Sequence, residues 1–329
     1  MSPRSVNTVT GPIPVDRLGV TLMHEHLVMG IPGWQADTLH PGPGRREMLA
    51  ICCERIQAMQ DRGISSLLDP CPNDMGRDPQ LAAEVSARTG FNIICATGLF
   101  TEHDGAAAYW QYHRNLGTAV EAMAEVFIRE LTVGIGASDI KAGIIKIGSG
   151  AGQITEYEQL VLEAAAIAAV ETGAPITTHT DQGTMGDVQQ KLLLDRGVPA
   201  HRILIGHSCG STDNAYHSRI AEGGSYLGFD RFGLELILPD EERINALVTL
   251  LRQGCERQLF ISHDSVWCFR GQPFPPALLA HVDPAKFFNP THIHEHIIPA
   301  LLDKGITRAQ IETLLVDNPR RFFSDTPPG

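Results

Sequence analysis

The sequence predicts a (β/α)8 barrel of the TIM type, and three observations carry that reading. Short apolar runs alternate with helical stretches along the chain, and counting from Met23 there are eight such units. The runs are apolar almost without interruption, as parallel strands covered on both faces are. The length, 329 residues, suits a barrel of about 250 residues with insertions. An open doubly wound sheet would want a glycine-rich phosphate loop after its first strand, and Thr10-Gly11-Pro12 and Gly148-Ser149-Gly150 are poor substitutes. No break in composition marks a second domain, so residues 1–329 are expected to form a single barrel domain.

The elements follow in order. An apolar run from Leu18 to Leu22 leads into the first strand, Met23 to Leu27, and then a loop rich in Gly and Pro runs from Val28 to Arg46. Glu47 to Arg62 reads as an amphipathic helix closed by Gly63. The second strand is Ser65 to Pro70, followed by a helix from Pro79 to Thr89 with Gly90 past its end. Asn92 to Gly98 is the third strand; after it come an aromatic loop (Tyr109, Trp110, Tyr112) and a helix through Val120–Leu131. Strand 4 is Gly143 to Gly148, with a helix from Glu156 to Thr172; strand 5 is Pro175 to Thr180, with a helix from Asp187 to Arg196. Strand 6 is Ile203 to His207, with a helix from Asn214 to Glu222, and strand 7 is Tyr226 to Arg231, with a helix from Asp240 to Gln253. Leu259 to Asp264 is the eighth strand, and a long loop then leads to a helix from Thr291 to Lys304.

Composition narrows the function. With 43% hydrophobic and 19% charged residues the chain is an ordinary globular protein, and a formal net charge of −12 argues against nucleic acid or an anionic membrane surface as partner. Met1 to Val9 has no apolar core of a signal peptide, and no run of about 18 apolar residues is present. Seven cysteines, an odd number with Cys52 and Cys53 adjacent in a helix, fit a reduced, cytoplasmic setting. No CxxC is present, which disfavours a thiolate zinc site.

In a barrel of this kind the active site lies at the C-terminal ends of the strands. The polar residues expected there are His24 and His26, Asp69, Lys146, His179, His207, Arg231 and Asp264. One strand-end histidine is ordinarily a hydrogen-bonded structural residue; four with an aspartate at one rim make a metal site. Lys146, flanked by Ile144, Ile145 and Ile147, admits two readings. Burial lowers a lysine pKa and leaves a nucleophilic amine that can capture carbon dioxide as an anionic carbamate able to bridge two cations. The alternative is an ion pair with Asp69 or Asp264.

Met23-His24-Glu25-His26, Gly143-Ile144-Ile145-Lys146, Thr177-Thr178-His179-Thr180, Ile205-Gly206-His207-Ser208 and Ile261-Ser262-His263-Asp264 together resemble the motif set of the phosphotriesterase family within the amidohydrolase superfamily. The opening Val6-Asn7-Thr8-Val9-Thr10-Gly11-Pro12-Ile13 and the ending Asp317-Asn318-Pro319-Arg320-Arg321-Phe322-Phe323 resemble it too, so the likeness spans nearly the whole chain. The resemblance implies a homodimeric hydrolase with two divalent metal ions, usually zinc, with cobalt, manganese or iron as substitutes. It places His24, His26 and Asp264 on the buried ion, His179 and His207 on the exposed one, and carboxylated Lys146 between them. Two such cations would lower the pKa of a bridging water enough for hydroxide to exist near neutral pH, and Asp264 would accept its proton.

Asp230-Arg231-Phe232-Gly233-Leu234 resembles the Asp-Arg-Tyr-Gly-Leu of the lactonase branch, which sets Arg231 at the site wall. The substrate expected is a small apolar ester, foremost a lactone such as an acyl-homoserine lactone, with promiscuous phosphotriester hydrolysis. An amidase, another carboxylesterase or a catalytically silent barrel are the alternatives. Phe100 and Phe232 stand where that branch usually has tyrosines, which removes two hydroxyls and makes the pocket more apolar. Trp34, Trp267, Cys268 and Phe269 are further candidates to line it. His292-Ile293-His294-Glu295-His296 is read as a surface or loop-anchoring segment, because only His292 and His296 share a helix face. Cys209 has no general base in sequence reach, and Asp69 is read as a supporting hydrogen-bond partner.

Overall fold

The computed structural model describes residues 4–105, 108–280, 282–283 and 285–327. The chain opens with an antiparallel hairpin, β1 (Ser5–Thr8) and β2 (Gly11–Pro14), which the proline-rich sequence did not announce. It is tied on by Val9 N–H donating to the Ile93 carbonyl, 2.9 Å, and Asn7 Nδ2 donating to the Ala142 carbonyl, 3.1 Å. Next come β3 (Val20–Leu22), β4 (Glu25–Met29) and α1 (Arg45–Gln60), then β5 (Ile64–Asp69), α2 (Pro79–Thr89) and β6 (Asn92–Gly98). The segment after β6 carries two helices, α3 (Ala108–Asn115) and α4 (Ala119–Thr132). The aromatic residues expected in a loop therefore lie on α3, where Tyr109 and Trp110 meet edge to face, 5.0 Å between ring centroids.

The alternation continues with β7 (Ile144–Ser149), α5 (Glu156–Thr172), β8 (Ile176–Thr180), α6 (Gly186–Asp195), β9 (Ile203–Ile205), α7 (Asn214–Glu222), β10 (Tyr226–Phe229), α8 (Asp240–Arg252) and β11 (Leu259–Ile261). A further strand, β12 (Ser265–Phe269), lies in what read as loop; it pairs in parallel with β4. The last expected helix runs as Ile293–Ile297 continuing into Ile298–Asp303, and the C-terminal stretch adds Arg308–Glu312 and Asn318–Phe323.

Eight parallel strands stand in the order β3-β5-β6-β7-β8-β9-β10-β11 with helices outside, a nearly closed (β/α)8 barrel. Strand alternation sorts the side chains. On β7, Ile145 and Ile147 face the helix layer, whereas Ile144 joins Leu68, Ile94, Leu204, Tyr226 and Phe260 inside the barrel, closed below by Phe322 and Phe323. Lys146, two residues on from Ile144, faces the same interior one layer higher. The barrel is thus apolar at its base and polar at its top. The first and last strands meet without a regular ladder among the described residues. Their junction is made by Asp264 N–H donating to the His24 carbonyl and His24 N–H to Ser262 Oγ, 3.0 Å each, and above it β4 pairs with β12.

Local chemistry sets several boundaries. Asp78 caps α2 through the Leu81 N–H, Pro79 opens it, and Gly90 at φ 70° closes it. On α5, Thr155 and Glu158 form a capping box, and Glu158 also accepts from the Glu102 and Gly150 N–H groups, 3.1 Å each, tying two rim loops to the helix start. Among the described residues no helix is long and apolar enough to cross a membrane.

Candidate active site

The first expected strand, Met23 to Leu27, straddles the break between β3 and β4, and strands six, seven and eight stop short of the residues expected to end them. His24 lies two residues past β3, His207 two past β9, Arg231 two past β10 and Asp264 three past β11. His207 and Asp264 adopt φ of 55° and 54°, left-handed values that break a ladder and cost a non-glycine residue about 1–2 kcal/mol. They persist because neighbouring carboxylates capture the freed backbone: the His207 N–H donates to Asp230 Oδ1, 2.9 Å, and the His263 N–H to Glu25 Oε1, 3.0 Å.

These turns, together with β7 and β8, bring His24, His26, Lys146, His179, His207, Arg231 and Asp264 to the floor of one cavity of about 470 Å³. Nε2 of His24 and Nε2 of His26 face the same oxygen, Asp264 Oδ1, at 3.3 and 3.2 Å. Two donors held about 2.0–2.1 Å from a tetrahedral cation stand about 3.4 Å apart, so these separations are those of ligands to one ion. The tautomers agree for His24: its Nδ1 donates to Asp230 Oδ2 at 3.1 Å, which turns the Nε2 lone pair toward another acceptor. A cation placed there would resolve that contact. His26 is bracketed likewise by Asp69 Oδ1, at 3.2 Å from Nδ1, and Asp69 also accepts from the Leu27 and Cys71 N–H groups.

His207 Nδ1 donates to Asp230 Oδ1, 2.9 Å, and its Nε2 stands 3.7 Å from Asp264 Oδ2. The His179 ring meets the His207 ring edge on at 4.6 Å, with its Nε2 on Asp181 Oδ1 at 2.7 Å. His179 and His207 thus adjoin on the cavity floor, and an anionic group on Lys146 is the donor that would join them to the first three residues. Lys146 Nζ lies 3.4 Å from His24 Nε2 and from the Thr178 carbonyl. It makes no ion pair with Asp69 or Asp264 among the described residues, so that reading is not realised.

Burial governs the electrostatics. It lowers the Lys146 ammonium to about 8, with Asp264 and Asp230 opposing, and His179 to about 4. His207 falls well below its ordinary value through burial and Arg231. Burial alone would raise Asp264, but His207, His24 and Arg231 together hold its carboxyl well below the usual range. Burial would also lower His26, yet Asp264 and Asp69 outweigh it and hold the imidazole well above its ordinary value. Positive charge is therefore favoured between His26 and Asp264. Arg231 Nε donates to Asp264 Oδ2, 2.9 Å, on the side facing the cavity.

Above this floor the wall is apolar: Met29, Ile31, Met75, Leu234, Val266 and a cluster of phenylalanines that includes Phe269, Phe274 and Phe288. Phe100 lines it too, edge on to His179 at 4.7 Å. Four other expected wall residues lie elsewhere. Phe232 is buried in the core. Register sets Val266 beside His26 and Phe269 beside Met29 on the wall; Trp267 and Cys268 turn into the core, Trp267 Nε1 donating to Ser265 Oγ, 2.9 Å. Trp34 stacks under the Arg270 guanidinium, 5.3 Å from its ring.

Asp230 is the residue that strand-end reading passed over: it holds two histidines from behind and lines nothing. A carboxylate next to Arg231 at the end of an apolar strand was the signal for it. His292, read as surface or anchoring, is a buried anchor: its Nε2 stands 2.7 Å from Asp240 Oδ2, and Asp240 Oδ1 accepts from the Gly233 N–H, 2.9 Å, in the loop that follows Arg231.

The sequence matches the phosphotriesterase family over residues 4–323. It is similar to the organophosphorus hydrolase from Deinococcus radiodurans, with a TM-score of 0.92 and 42% identity over 97% of this chain and 96% of that one. A mutant of the PTE-like lactonase from Deinococcus radiodurans gives a TM-score of 0.92 and 42% identity, covering 97% of this chain and 99% of that one. The phosphotriesterase homology protein of Mycobacterium tuberculosis is 35% identical over 322 residues, 97% of each chain.

Proposed function

The chain belongs to the phosphotriesterase family, and on that premise we propose that it hydrolyses neutral apolar esters, foremost lactones such as acyl-homoserine lactones, with phosphotriesters as promiscuous substrates. The observation that carries the reading is the pairing of a His/Asp floor with an apolar wall in one cavity. His24, His26 and Asp264 would hold one divalent cation, His179 and His207 a second, and Lys146 as its carbamate would join them. This nitrogen and oxygen donor set suits zinc, and also cobalt, manganese or iron. When bound, such a pair supplies an acidified water and polarises an ester oxygen.

The protein's own residues do the rest. Burial leaves the Lys146 amine neutral often enough to add carbon dioxide, losing its proton to give the anionic carbamate. Asp264 accepts the proton of the attacking water, and Arg231 orients the Oδ2 that receives it. Phe100 and the wall exclude water and take the apolar acyl portion of the substrate. Arg231, the one arginine among the described residues lining the cavity, is engaged by Asp264, which disfavours a substrate with a carboxylate or sulfonate tail.

The test is metal content per chain for wild type and Lys146→Ala, with a panel of lactones, simple esters, amides and phosphotriesters. About two metals in wild type, with metal and activity both lost in the variant, are expected. Acid release from amides but not lactones would reassign the protein as an amidase. A metal-free, inactive wild type would make it a silent barrel.

A further inference from the structure

The histidine pair at the first strand has a third member. Glu25, between His24 and His26, is wholly buried and faces away from the cavity. Its carboxylate is saturated by donors from one short segment on the opposite side of the barrel seam. Oε1 accepts from Ser262 Oγ at 2.8 Å, the His263 N–H at 3.0 Å and His263 Nδ1 at 2.6 Å. Oε2 accepts from the Ser265 N–H at 3.3 Å and from Ser265 Oγ. The residue these donors bracket is Asp264, which has the left-handed φ of 54° and points the other way, at Nε2 of His24 and His26.

The bracket is fixed from behind as well. His263 Nε2 accepts from the Ile293 N–H, 3.0 Å, which leaves Nδ1 as the protonated nitrogen and so as a donor to Glu25. Ser262 Oγ accepts from the His24 N–H, 3.0 Å, while donating to Glu25. Ser265 Oγ takes the Trp267 indole N–H, 2.9 Å. Every donor in the segment has one direction left to it, and an unpaired buried carboxylate or hydroxyl would be costly.

We propose that Glu25 is a positioning residue for the metal centre: one carboxylate holds the strained turn of Asp264 so that His24, His26 and Asp264 keep a single ligand geometry. A role confined to closing the barrel would affect stability and leave the ligands of the folded protein in place. This inference rests on the metal-hydrolase reading above.

The test compares wild type with Glu25→Gln, whose amide cannot accept from all five donors, and with Ser265→Ala, which removes one donor and leaves the carboxylate. Each is loaded with Co(II) as probe, and its affinity by chelator competition, its visible absorption spectrum, its melting temperature and its kcat and KM on a lactone are measured. Supporting outcomes are a tenfold or greater loss of Co(II) affinity at one of two sites in Glu25→Gln, an altered ligand-field spectrum, and a kcat reduced tenfold or more with KM within about twofold. Ser265→Ala should move the same quantities less. Wild-type affinity and spectrum in folded Glu25→Gln, with only a lower melting temperature, would overturn the proposal. If Glu25→Gln fails to fold, an unchanged spectrum and affinity in Ser265→Ala overturns it. A wild type that binds no cobalt overturns the metal reading itself, and this inference with it.

Discussion

Asp230 accepts from Nδ1 of both His24 and His207, and from the His207 backbone, so one buried carboxylate sets the tautomers of two residues proposed for different cations. Asp230→Asn presents an amide that can accept on one side only. Metal affinity and kcat/KM should each fall about 10–100-fold with far-ultraviolet dichroism unchanged; chelator titration of the folded variant checks this. Phe100 stands edge on to His179 at the wall. Phe100→Tyr restores a hydroxyl there, and one hydrogen bond of about 1 kcal/mol should raise kcat/KM for a lactone roughly fivefold, with little change for a phosphotriester. The residues that gather on the cavity floor were legible in the sequence because histidine, lysine and aspartate at the ends of apolar runs are costly to bury unless each has something to bind. Asp230 left only its place beside Arg231 as a signal and Glu25 left none, because the role of a carboxylate that works by holding a neighbour is set by partners distant in sequence. Trp267 and Cys268 read as wall residues because composition does not tell which way a strand turns them.

At the scale of elements, the loop after β5 and the strand ends decide how tightly the floor is held. Asp74 accepts from the Phe100 N–H through both oxygens, 3.1 and 3.2 Å, and burial raises its carboxyl to about 6. The folded protein therefore retains that proton more strongly than the unfolded chain. The stability contributed is complete below the ordinary carboxylate value and is lost as pH rises through about 6. The melting-temperature difference, wild type minus Asp74→Asn, should accordingly shrink between pH 4 and roughly pH 6.5, read by calorimetry. Gly98, at φ 135°, ends β6 where any Cβ would collide with the backbone carbonyl of Lys146. Gly98→Ala should lower stability by about 2–4 kcal/mol in a denaturant titration and weaken metal binding as β7 shifts. Helices were the most legible elements: α2, α5 and α7 keep their expected bounds, each opened by a side-chain cap from Asp78, Thr155 and Asp213. Strands six, seven and eight read too long, because His207, Arg231 and Asp264 leave the ladder for side-chain partners.

For the whole molecule, eight alternations of apolar strand and helix made the barrel legible, while its seam was not, since it depends on contacts between distant residues. The floor gathers candidate ligands from separate strands around facing lone pairs, so a metal held there should act as a cross-link of the native state. Removing it with a chelator should lower the melting temperature, and free metal at about 1,000 times its dissociation constant should restore about 4 kcal/mol, observed as a concentration-dependent melting point.

That seam has a consequence for how the protein comes into being. His24 and Ser262 are 238 residues apart, and Asp264 reaches the histidines only once the last strand lies beside the first. A chain still emerging from the ribosome holds His24, His26, Lys146, His179 and His207 long before it can assemble the His24–His26–Asp264 group. If these three residues hold a cation as proposed, its capture waits on the arrival of Asp264, and a product that stalls before that residue holds two members of the group without the third.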